Sequence, residues 1–278
     1  MARSNALDIR PMAGAVGAEI LGLDLADRLD ADSLRDIRDT LAERGVVVFR
    51  AQSLTPDQHI AVARQFGDIN LNRFFAHLDG HPEIALVVKE PHQTRNIGGG
   101  WHTDHSYDHA PALGSMLLAR EVPDHGGDTL FASMYAAFDA LSDGLKHTLR
   151  GLRAVHSSRH VFGVERPEMK GRIGNAELAT QDAVHPVVIK HPESGREALY
   201  VNPGFTVRID GWTDEESRPL LRFLYDHAQR PEFTCRLRWA EGSLAFWDNR
   251  STWHYALNDY QGDRRLMHRI TIEGVPLG

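Results

Sequence analysis

Apolar residues recur at helical spacing between residues 34 and 41, and this periodicity predicts the first helix of the chain. Asp32 or Ser33 is a suitable cap for its start, and Gly45 is a suitable residue to end it. The run directly after Gly45, residues 46–49, is continuously apolar, which is typical of a fully buried strand. A helix followed by a buried strand is therefore expected here.

Two further helices are predicted by capping signals. Thr55 precedes Pro56 and has Gln58 at the third position after it, a capping box that predicts a helix as far as about Phe66. A second capping box begins at Thr213, before a mixed apolar and polar segment. Because these signals are local, they predict where each helix begins.

Most of the remaining chain alternates short β-branched or apolar runs with turns. Helical spacing returns only at residues 134–152, while strands are predicted within residues 7–23, 84–88, 115–119, 129–132, 155–208 and 234–272, with His254 between two strands of the last segment. Many short strands with a few helices indicate a mainly β fold with flanking helices. The absence of a convincing linker predicts a single domain over residues 1–278.

Composition limits the classes of function. Hydrophobic residues make up 42% of the 278 residues and charged residues 25%, as in ordinary soluble proteins. A net charge of −7 argues against a nucleic-acid-binding face. The single cysteine, Cys235, excludes an internal disulfide and is expected to be a small buried residue of a strand. Without a signal-peptide pattern or a long apolar run, we expect a cytoplasmic protein without a membrane partner.

The strongest chemical signal is the motif Trp101-His102-Thr103-Asp104. On an extended backbone His102 and Asp104 share a face, because side chains two residues apart point the same way. His254 can complete a set of two histidines and one carboxylate, the ligand set of non-haem Fe(II) oxygenases. Such a set leaves one face of the metal open to a bidentate co-substrate and dioxygen.

The segments around this motif also carry polar residues. Residues 90–100 form a polar, glycine-rich stretch that leads into His102, and their composition is typical of a mobile lid. His105 and His109 follow the motif, and each is interpreted first as a polar loop residue. The histidine at 268 has odd spacing from Arg265 and Arg269, so it is expected to face the opposite side of a strand.

With these residues located, nearly the whole chain resembles the taurine dioxygenase / 2,4-D dioxygenase (TauD/TfdA) family of Fe(II)- and 2-oxoglutarate-dependent dioxygenases. The resemblance rests on four motifs in the same order, which are Trp101-His102-Thr103-Asp104, Gly126-Gly127-Asp128-Thr129-Leu130, Trp247-Asp248-Asn249-Arg250 leading to His254-Tyr255, and Arg264-Arg265-Leu266-Met267-His268-Arg269. It implies a double-stranded β-helix, a distorted jelly roll. It also implies a homo-oligomer, either a dimer or a tetramer.

The resemblance assigns roles to individual residues. It implies that Fe(II) is held by His102, Asp104 and His254. Arg265 matches the arginine that binds the far carboxylate of 2-oxoglutarate, with Thr129 adding a hydroxyl contact. Arg269, at an even spacing from Arg265, matches a residue that contacts an anionic group of the substrate. Two arginines in one cavity require anions to neutralise them.

The resemblance also bears on the substrate. Asn72, Phe75 and Gly98 stand where taurine-specific members carry polar contacts, and Phe162 matches an aromatic wall. The implied pocket is larger and more apolar, so an alkyl sulfate, a longer sulfonate or an aryloxyalkanoate is expected rather than taurine. The implied reaction hydroxylates a C–H bond, often with fragmentation, and yields succinate and CO2.

Two other classes of function use similar features. A cupin-like hydrolase or isomerase could use the same three ligands with zinc or manganese, and a jelly roll could be a non-catalytic binding module. Arg265 and Thr129 favour the oxygenase, because a hydrolase has no need of a dicarboxylate clamp. A serine hydrolase is disfavoured, since the sequence lacks a Gly-x-Ser-x-Gly elbow.

Overall fold

The computed structural model describes residues 7–277. Its strands are β1 (Asp8–Pro11), β2 (Ala18–Leu21), β3 (Val46–Phe49), β4 (Ile69–Asn70), β5 (His77–Leu78), β6 (His81–Lys89), β7 (Gly114–Glu121), β8 (Thr129–Ser133), β9 (Arg153–Ser157), β10 (Asp182–Pro186), β11 (Val188–Lys190), β12 (Glu197–Leu199), β13 (Thr206–Ile209), β14 (Thr234–Leu237), β15 (Leu244–Asp248), β16 (Thr252–Ala256) and β17 (Arg265–Ile272). The helices are α1 (Ala31–Arg44), α2 (Pro56–Arg64), α3 (Met134–Asp139), α4 (Asp143–Arg150), α5 (Arg159–Phe162) and α6 (Asp214–Ala228), with short 3-10 turns at Pro167–Met169, Ala176–Leu178 and Pro231–Phe233.

Two sheets enclose the central core. The larger has nine strands in the order β1-β2-β3-β15-β7-β17-β6-β5, with β4 also paired to β17, and the smaller has the order β14-β8-β16. Two further small sheets, β10-β9-β13 and β11-β12, lie outside this pair. The chain passes from the larger sheet to the smaller at the Trp-Asp-Asn-Arg motif, of which Trp247 and Asp248 end β15 and Asn249 and Arg250 lie in the turn before β16.

Side-chain alternation along β17 directs two arginines into the space between the sheets. Met267 of β17 packs in a core cluster with Phe131 of β8, which belongs to the facing sheet. Ile270 packs instead in the cluster on the outer side, together with residues of α1 and α2. Because alternate residues of a strand share a face, Arg265 and Arg269 point the same way as Met267. The arginines therefore face the inter-sheet core, as predicted.

The helices agree with the local signals except at the start of α1. Asp30 caps this helix, and not Asp32 or Ser33, because the Asp30 carboxylate accepts a hydrogen bond from the Ser33 amide at 2.7 Å. Gly45 ends the helix with a φ of 71°, as predicted. Both predicted capping boxes, at the starts of α2 and α6, are formed.

Other differences from the predicted elements are small. The helical spacing of residues 134–152 corresponds to two helices, α3 and α4, because Ser142 caps a new helix. The segment predicted to hold only strands and turns, 155–208, also contains α5. Cys235 is buried in β14, as predicted. Within residues 7–277 the longest apolar helical stretches fall short of what a membrane crossing requires.

Candidate active site

A cavity of about 1230 Å³ opens at one end of the two facing sheets. Its walls come from both sheets and from the segments around residues 95–101 and 161–177. The cavity brings together all nine residues that the sequence marked as candidates for a site, which are Asn72, Phe75, His102, Asp104, Thr129, Phe162, His254, Arg265 and Arg269.

The two histidines are held beside each other by backbone pairing. His254 lies within β16, so the prediction that it falls between two strands is wrong. His102 forms an isolated antiparallel bridge with His254, with N···O distances of 3.1 and 2.8 Å. Asp104 follows in a turn, so the shared strand face predicted for His102 and Asp104 is also wrong. The bridge itself joins the remote parts of the triad.

The three side chains converge on one point. His102 Nε2 lies 3.8 Å from Asp104 Oδ1, and His254 Nε2 lies 3.8 Å from Asp104 Oδ2. All three ligand atoms lie within 4.8 Å of one another. His102 Nδ1 donates to the carbonyl of Gly100 at 2.8 Å, which leaves the Nε2 lone pair free for a cation. This arrangement has the composition and the spacing of a metal-binding triad.

Asp104 is buried beside the guanidinium of Arg269 and the two imidazoles. Burial by itself raises the pKa of this carboxyl, but the charge of Arg269, with smaller contributions from His254 and His102, outweighs burial and holds the pKa well below its ordinary value. Ser115 Oγ donates to Asp104 Oδ2 at 2.9 Å. The carboxylate is therefore ionised and oriented at neutral pH.

Asn249, in the turn between β15 and β16, fastens the segment that carries Asp104. The Thr103 hydroxyl donates to the Asn249 carbonyl at 2.6 Å, and the Asp104 amide lies 3.4 Å from Asn249 Oδ1. The same oxygen accepts from Trp247 Nε1 at 2.9 Å. This connection was missed at the sequence level, although Asn249 belongs to a quoted motif, because only the fold brings the two segments together.

Arg265 is a buried cation with unused donors. Its side chain is 4% exposed, and its Nε and Nη2 atoms have no hydrogen-bond partner within residues 7–277. The guanidinium carbon lies 5.7 Å from the centre of the Trp239 ring. Trp239 Nε1 in turn donates to the Thr129 hydroxyl at 2.9 Å. A carboxylate that entered this end of the cavity would meet donors that nothing else uses.

Arg269 lies nearer the triad. Its Nη1 is 3.4 Å from Asp104 Oδ1, and its guanidinium carbon stands 4.4 Å from the centre of the Phe75 ring. Its Nε has no partner in the described part of the chain. An anion close to the triad would therefore find a second buried guanidinium.

One wall of the cavity is aromatic. Phe162 stacks on Phe74 with ring centres 4.2 Å apart, and Phe75 approaches it edge-on at 6.4 Å. Tyr107 and Phe205 complete the cluster. Phe74, Tyr107 and Phe205 were not predicted, since isolated aromatic residues in the sequence do not show which wall they form.

Arg172 connects two segments at the mouth of the cavity. Its guanidinium donates to the carbonyls of Arg95 at 2.9 Å, Glu168 at 2.6 Å and Val88 at 3.3 Å. Residues 90–100 have no helix or strand, and Asn96 holds them to the carbonyl of residue 256 at 2.8 Å. Closure of this loop as a lid stays a prediction.

The structure shows the positions of three further histidines that the sequence analysis considered. His105, interpreted first as a polar loop residue, is instead buried and lines the cavity. His109 is exposed, as expected of a loop residue. His268 faces away from the cavity, as predicted, and accepts from Arg120 Nε at 3.2 Å. Asp108, three residues further on, could have indicated that His105 is held in place by a carboxylate across a turn.

Comparisons with known proteins agree with this geometry. A family model described as "Taurine catabolism dioxygenase TauD, TfdA family" matches residues 8–271. The chain is 35% identical over 283 residues to an alkylsulfatase of Acinetobacter baylyi, covering 96% of this chain and 85% of that protein. It is also 35% identical over 283 residues to an alpha-ketoglutarate-dependent sulfate ester dioxygenase of Pseudomonas putida, covering 98% and 91%.

A solved structure has the same architecture. The crystal structure of a putative alpha-ketoglutarate-dependent taurine dioxygenase from Burkholderia xenovorans superposes with a TM-score of 0.83 at 36% identity, covering 98% of this chain and 91% of that chain. This likeness confirms the predicted fold class, a mainly β double-stranded β-helix with flanking helices.

Proposed function

Since the chain belongs to the taurine catabolism dioxygenase TauD, TfdA family, we propose that its primary substrate is an alkyl sulfate ester, hydroxylated at the carbon that bears the ester oxygen. The resemblance inferred from the four motifs is confirmed, and the protein is an Fe(II)- and 2-oxoglutarate-dependent dioxygenase. The hydroxylated carbon then carries a hydroxyl and a sulfate group. It collapses to an aldehyde and inorganic sulfate, while 2-oxoglutarate becomes succinate and CO2.

We assign the metal to His102, Asp104 and His254. The donor set suits Fe(II), since two neutral imidazoles and one carboxylate supply three ligands and leave further positions free. Bound Fe(II) supplies the activation of dioxygen, with 2-oxoglutarate as the reductant. The protein contributes the fixed tautomer of His102, through Gly100, and the ionised state of Asp104.

We assign the far carboxylate of 2-oxoglutarate to Arg265, with Thr129 beside it. The unpartnered Nε and Nη2 atoms of Arg265 support this assignment, because a buried guanidinium without acceptors is unfavourable until an anion arrives. Two donors on one planar group match a carboxylate bidentately. Thr129 Oγ1 already accepts from Trp239, so its own proton is available to a ligand.

The substrate assignment depends above all on Arg269. This buried guanidinium lies between the triad and the Phe75 ring, so an anionic head group bound there places its neighbouring carbon close to the metal ligands. The aromatic wall of Phe75 and Phe162 suits an apolar tail, and Asn72 adds a polar group beside Phe75. A sulfate ester with an alkyl chain combines these two properties.

Taurine fits this cavity less well. Its ammonium group needs an acceptor, whereas the wall presented by Phe75 and Phe162 is apolar. Gly98 lines the cavity without a side chain, and a Cβ atom at this position would lie 3.4 Å from the His102 ring. The space left by these residues suits a longer or bulkier tail.

The proposal is tested by turnover with a substrate panel. Protein reconstituted anaerobically with Fe(II) and 2-oxoglutarate is exposed to oxygen with octyl sulfate, nonanesulfonate, a phenoxyacetate or taurine. We expect sulfate, aldehyde and succinate in equal amounts from octyl sulfate, and less succinate from the others. Sulfate release without oxygen or 2-oxoglutarate would identify a hydrolase instead. Preferred turnover of the phenoxyacetate or of taurine would contradict the substrate assignment.

Three broader proposals accompany this one. We propose that the whole chain forms one domain and that it acts in the cytoplasm, which the single buried thiol of Cys235 suits. We further propose a homodimer or homotetramer, in keeping with the family resemblance. Light scattering after size-exclusion chromatography distinguishes these states from a monomer.

A further inference from the structure

We propose that His105 is a positioning residue, and that the chain Arg73-Asp108-His105 fixes the Asn72 amide so that it donates a hydrogen bond to the anionic head group of the substrate. The inference rests on the proposed function, because it concerns how the same cavity selects its substrate. It adds a residue that does not itself hold metal or 2-oxoglutarate.

The orientation of Asn72 is set by the backbone. Asn72 Oδ1 accepts from the amides of Phe74 and Phe75 at 3.0 and 3.1 Å. The side-chain nitrogen must therefore point away from these amides. It lies 3.5 Å from His105 Nε2, and both residues line the cavity. One N–H of Asn72 faces His105, and the second is available to a ligand.

The polarity of His105 follows from its other partner. His105 Nδ1 lies 2.9 Å from Asp108 Oδ2, and an ionised carboxylate only accepts, so Nδ1 carries the proton. Nε2 then presents its lone pair to the Asn72 amide. Asp108 is held in turn by Arg73 Nη2 at 2.6 Å, and Arg73 lies over the Phe74 and Tyr107 rings. Every link of the chain has one preferred direction.

The backbone of His105 supports a specific role. His105 has a φ of 59°, a left-handed conformation that only a few per cent of residues other than glycine adopt, although histidine is among the more tolerant. The residue is 3% exposed and directly follows Asp104. Such conformations persist where the surroundings fix them, and they concentrate at functional sites.

The consequence is a receptor with two kinds of donor. Arg269 stacks on Phe75, and Asn72 holds the Phe75 amide, so both donors stand on the same wall. A sulfate or sulfonate head has three terminal oxygens and can bind both donors, with its remaining bond directed to the metal. A planar carboxylate has two oxygens and fits this pair less well. The chain through His105 therefore favours tetrahedral over planar head groups.

The test is a double-mutant cycle on the full protein loaded with Fe(II), with octyl sulfate as substrate. His105→Gly removes the imidazole and relaxes the backbone, and Asn72→Ala removes the donor. A hydrogen bond to a charged group contributes about 1.5–3 kcal/mol, so we expect each single variant to raise KM at least about tenfold. A misaligned substrate is hydroxylated less often per turnover of 2-oxoglutarate, so the amount of succinate formed should exceed the amount of sulfate. The KM for 2-oxoglutarate should not change. His109→Gly, at an exposed histidine, is the matched control and should behave as wild type.

The cycle separates positioning from an independent contact. If His105 acts only through Asn72, the double variant has the same KM as Asn72→Ala alone. Additive losses, or a His105→Gly protein that matches the control, would overturn the inference. His105→Asn serves if the glycine variant does not fold, since asparagine tolerates this φ but is too short to replace the imidazole. A wild type that turns over the phenoxyacetate but not octyl sulfate would contradict the proposed substrate instead.

Discussion

Replacing Arg265 with methionine is expected to stabilise the ligand-free protein while it abolishes tight binding of 2-oxoglutarate. Methionine has a similar length but no donors, so the substitution removes a buried charge without leaving a large cavity. The two effects have opposite signs because the guanidinium is unpartnered in the free protein and is matched only when a dicarboxylate is bound. A residue kept only for packing would not show this reversal.

The magnitudes follow from the unpaired atoms. A buried donor without a partner costs about 1–3 kcal/mol, and Arg265 has two such atoms, Nε and Nη2. The contact with Trp239 at 5.7 Å offsets about 0.5–1 kcal/mol of this. We therefore expect Arg265→Met to raise the free energy of unfolding by roughly 1–5 kcal/mol, which corresponds to a rise in Tm of about 2–4 °C for each kcal/mol. Loss of a bidentate, charge-assisted pair should raise the KM for 2-oxoglutarate about 100-fold.

The assay compares thermal unfolding without and with 2-oxoglutarate, alongside steady-state succinate formation. Arg264→Met is the matched control, because Arg264 is partly exposed and already paired with Glu90 and Glu121. We expect the control to leave the 2-oxoglutarate KM unchanged and to lower stability slightly. A less stable Arg265→Met protein with unchanged 2-oxoglutarate affinity would refute both the clamp assignment and the argument from unpaired donors.

Three further predictions concern the triad, its support and a buried histidine outside the cavity. His102→Ala or Asp104→Ala should abolish succinate formation and stoichiometric Mn(II) binding measured by calorimetry, and retained binding would contradict the metal assignment. Asn249→Ala should weaken Mn(II) binding about 10-fold, because it removes the Oδ1 atom that contacts the Asp104 amide and the Trp247 ring while it keeps the backbone carbonyl that binds Thr103, and an unchanged Kd would argue against that support. Burial, with the charges of His268 and Arg120, lowers the pKa of His59 to about 3 from 6.5. As the pH falls below 6.5 the unfolded chain binds the proton first, so His59 lowers the free energy of unfolding by roughly 2–3 kcal/mol at pH 4.5. In urea denaturation, His59→Leu should therefore lose less free energy of unfolding between pH 7 and pH 4.5 than the wild type. An equal loss in both proteins would contradict this prediction.

Local signals in the sequence predicted the elements that depend on neighbouring residues. The capping boxes at Thr55 and Thr213 involve atoms within one helical turn, so no tertiary contact is needed to form them. The predicted cap of α1, Asp32 or Ser33, was wrong. Asp30 is an equally suitable residue, and the choice among the three depends on where the helix docks. Sequence spacing alone does not rank three suitable caps.

The site was predictable where its residues lie in recognisable motifs, and not where only the fold joins them. His102, Asp104 and Arg265 were found because their spacing and resemblance are visible in the chain. Asn249 and Arg172 act through contacts with segments far away in sequence. Arg172 binds only backbone carbonyls, which have no signature in a sequence, and the bond from Thr103 to Asn249 joins residues 146 positions apart.

Strand β17 carries two buried arginines that differ in their contacts in the ligand-free protein. Arg269 lies against Asp104, so its charge is already balanced in part by the carboxylate proposed to bind the metal. Arg265 has no ion pair within 4 Å among residues 7–277 and contacts the face of the Trp239 ring. A metal ion that shares the Asp104 carboxylate weakens its hold on Arg269, and this leaves the guanidinium more available to the substrate head group. If the proposed assignments hold, we expect metal loading and substrate recognition to be coupled through the Asp104 carboxylate, whereas Arg265 makes no contact with that carboxylate.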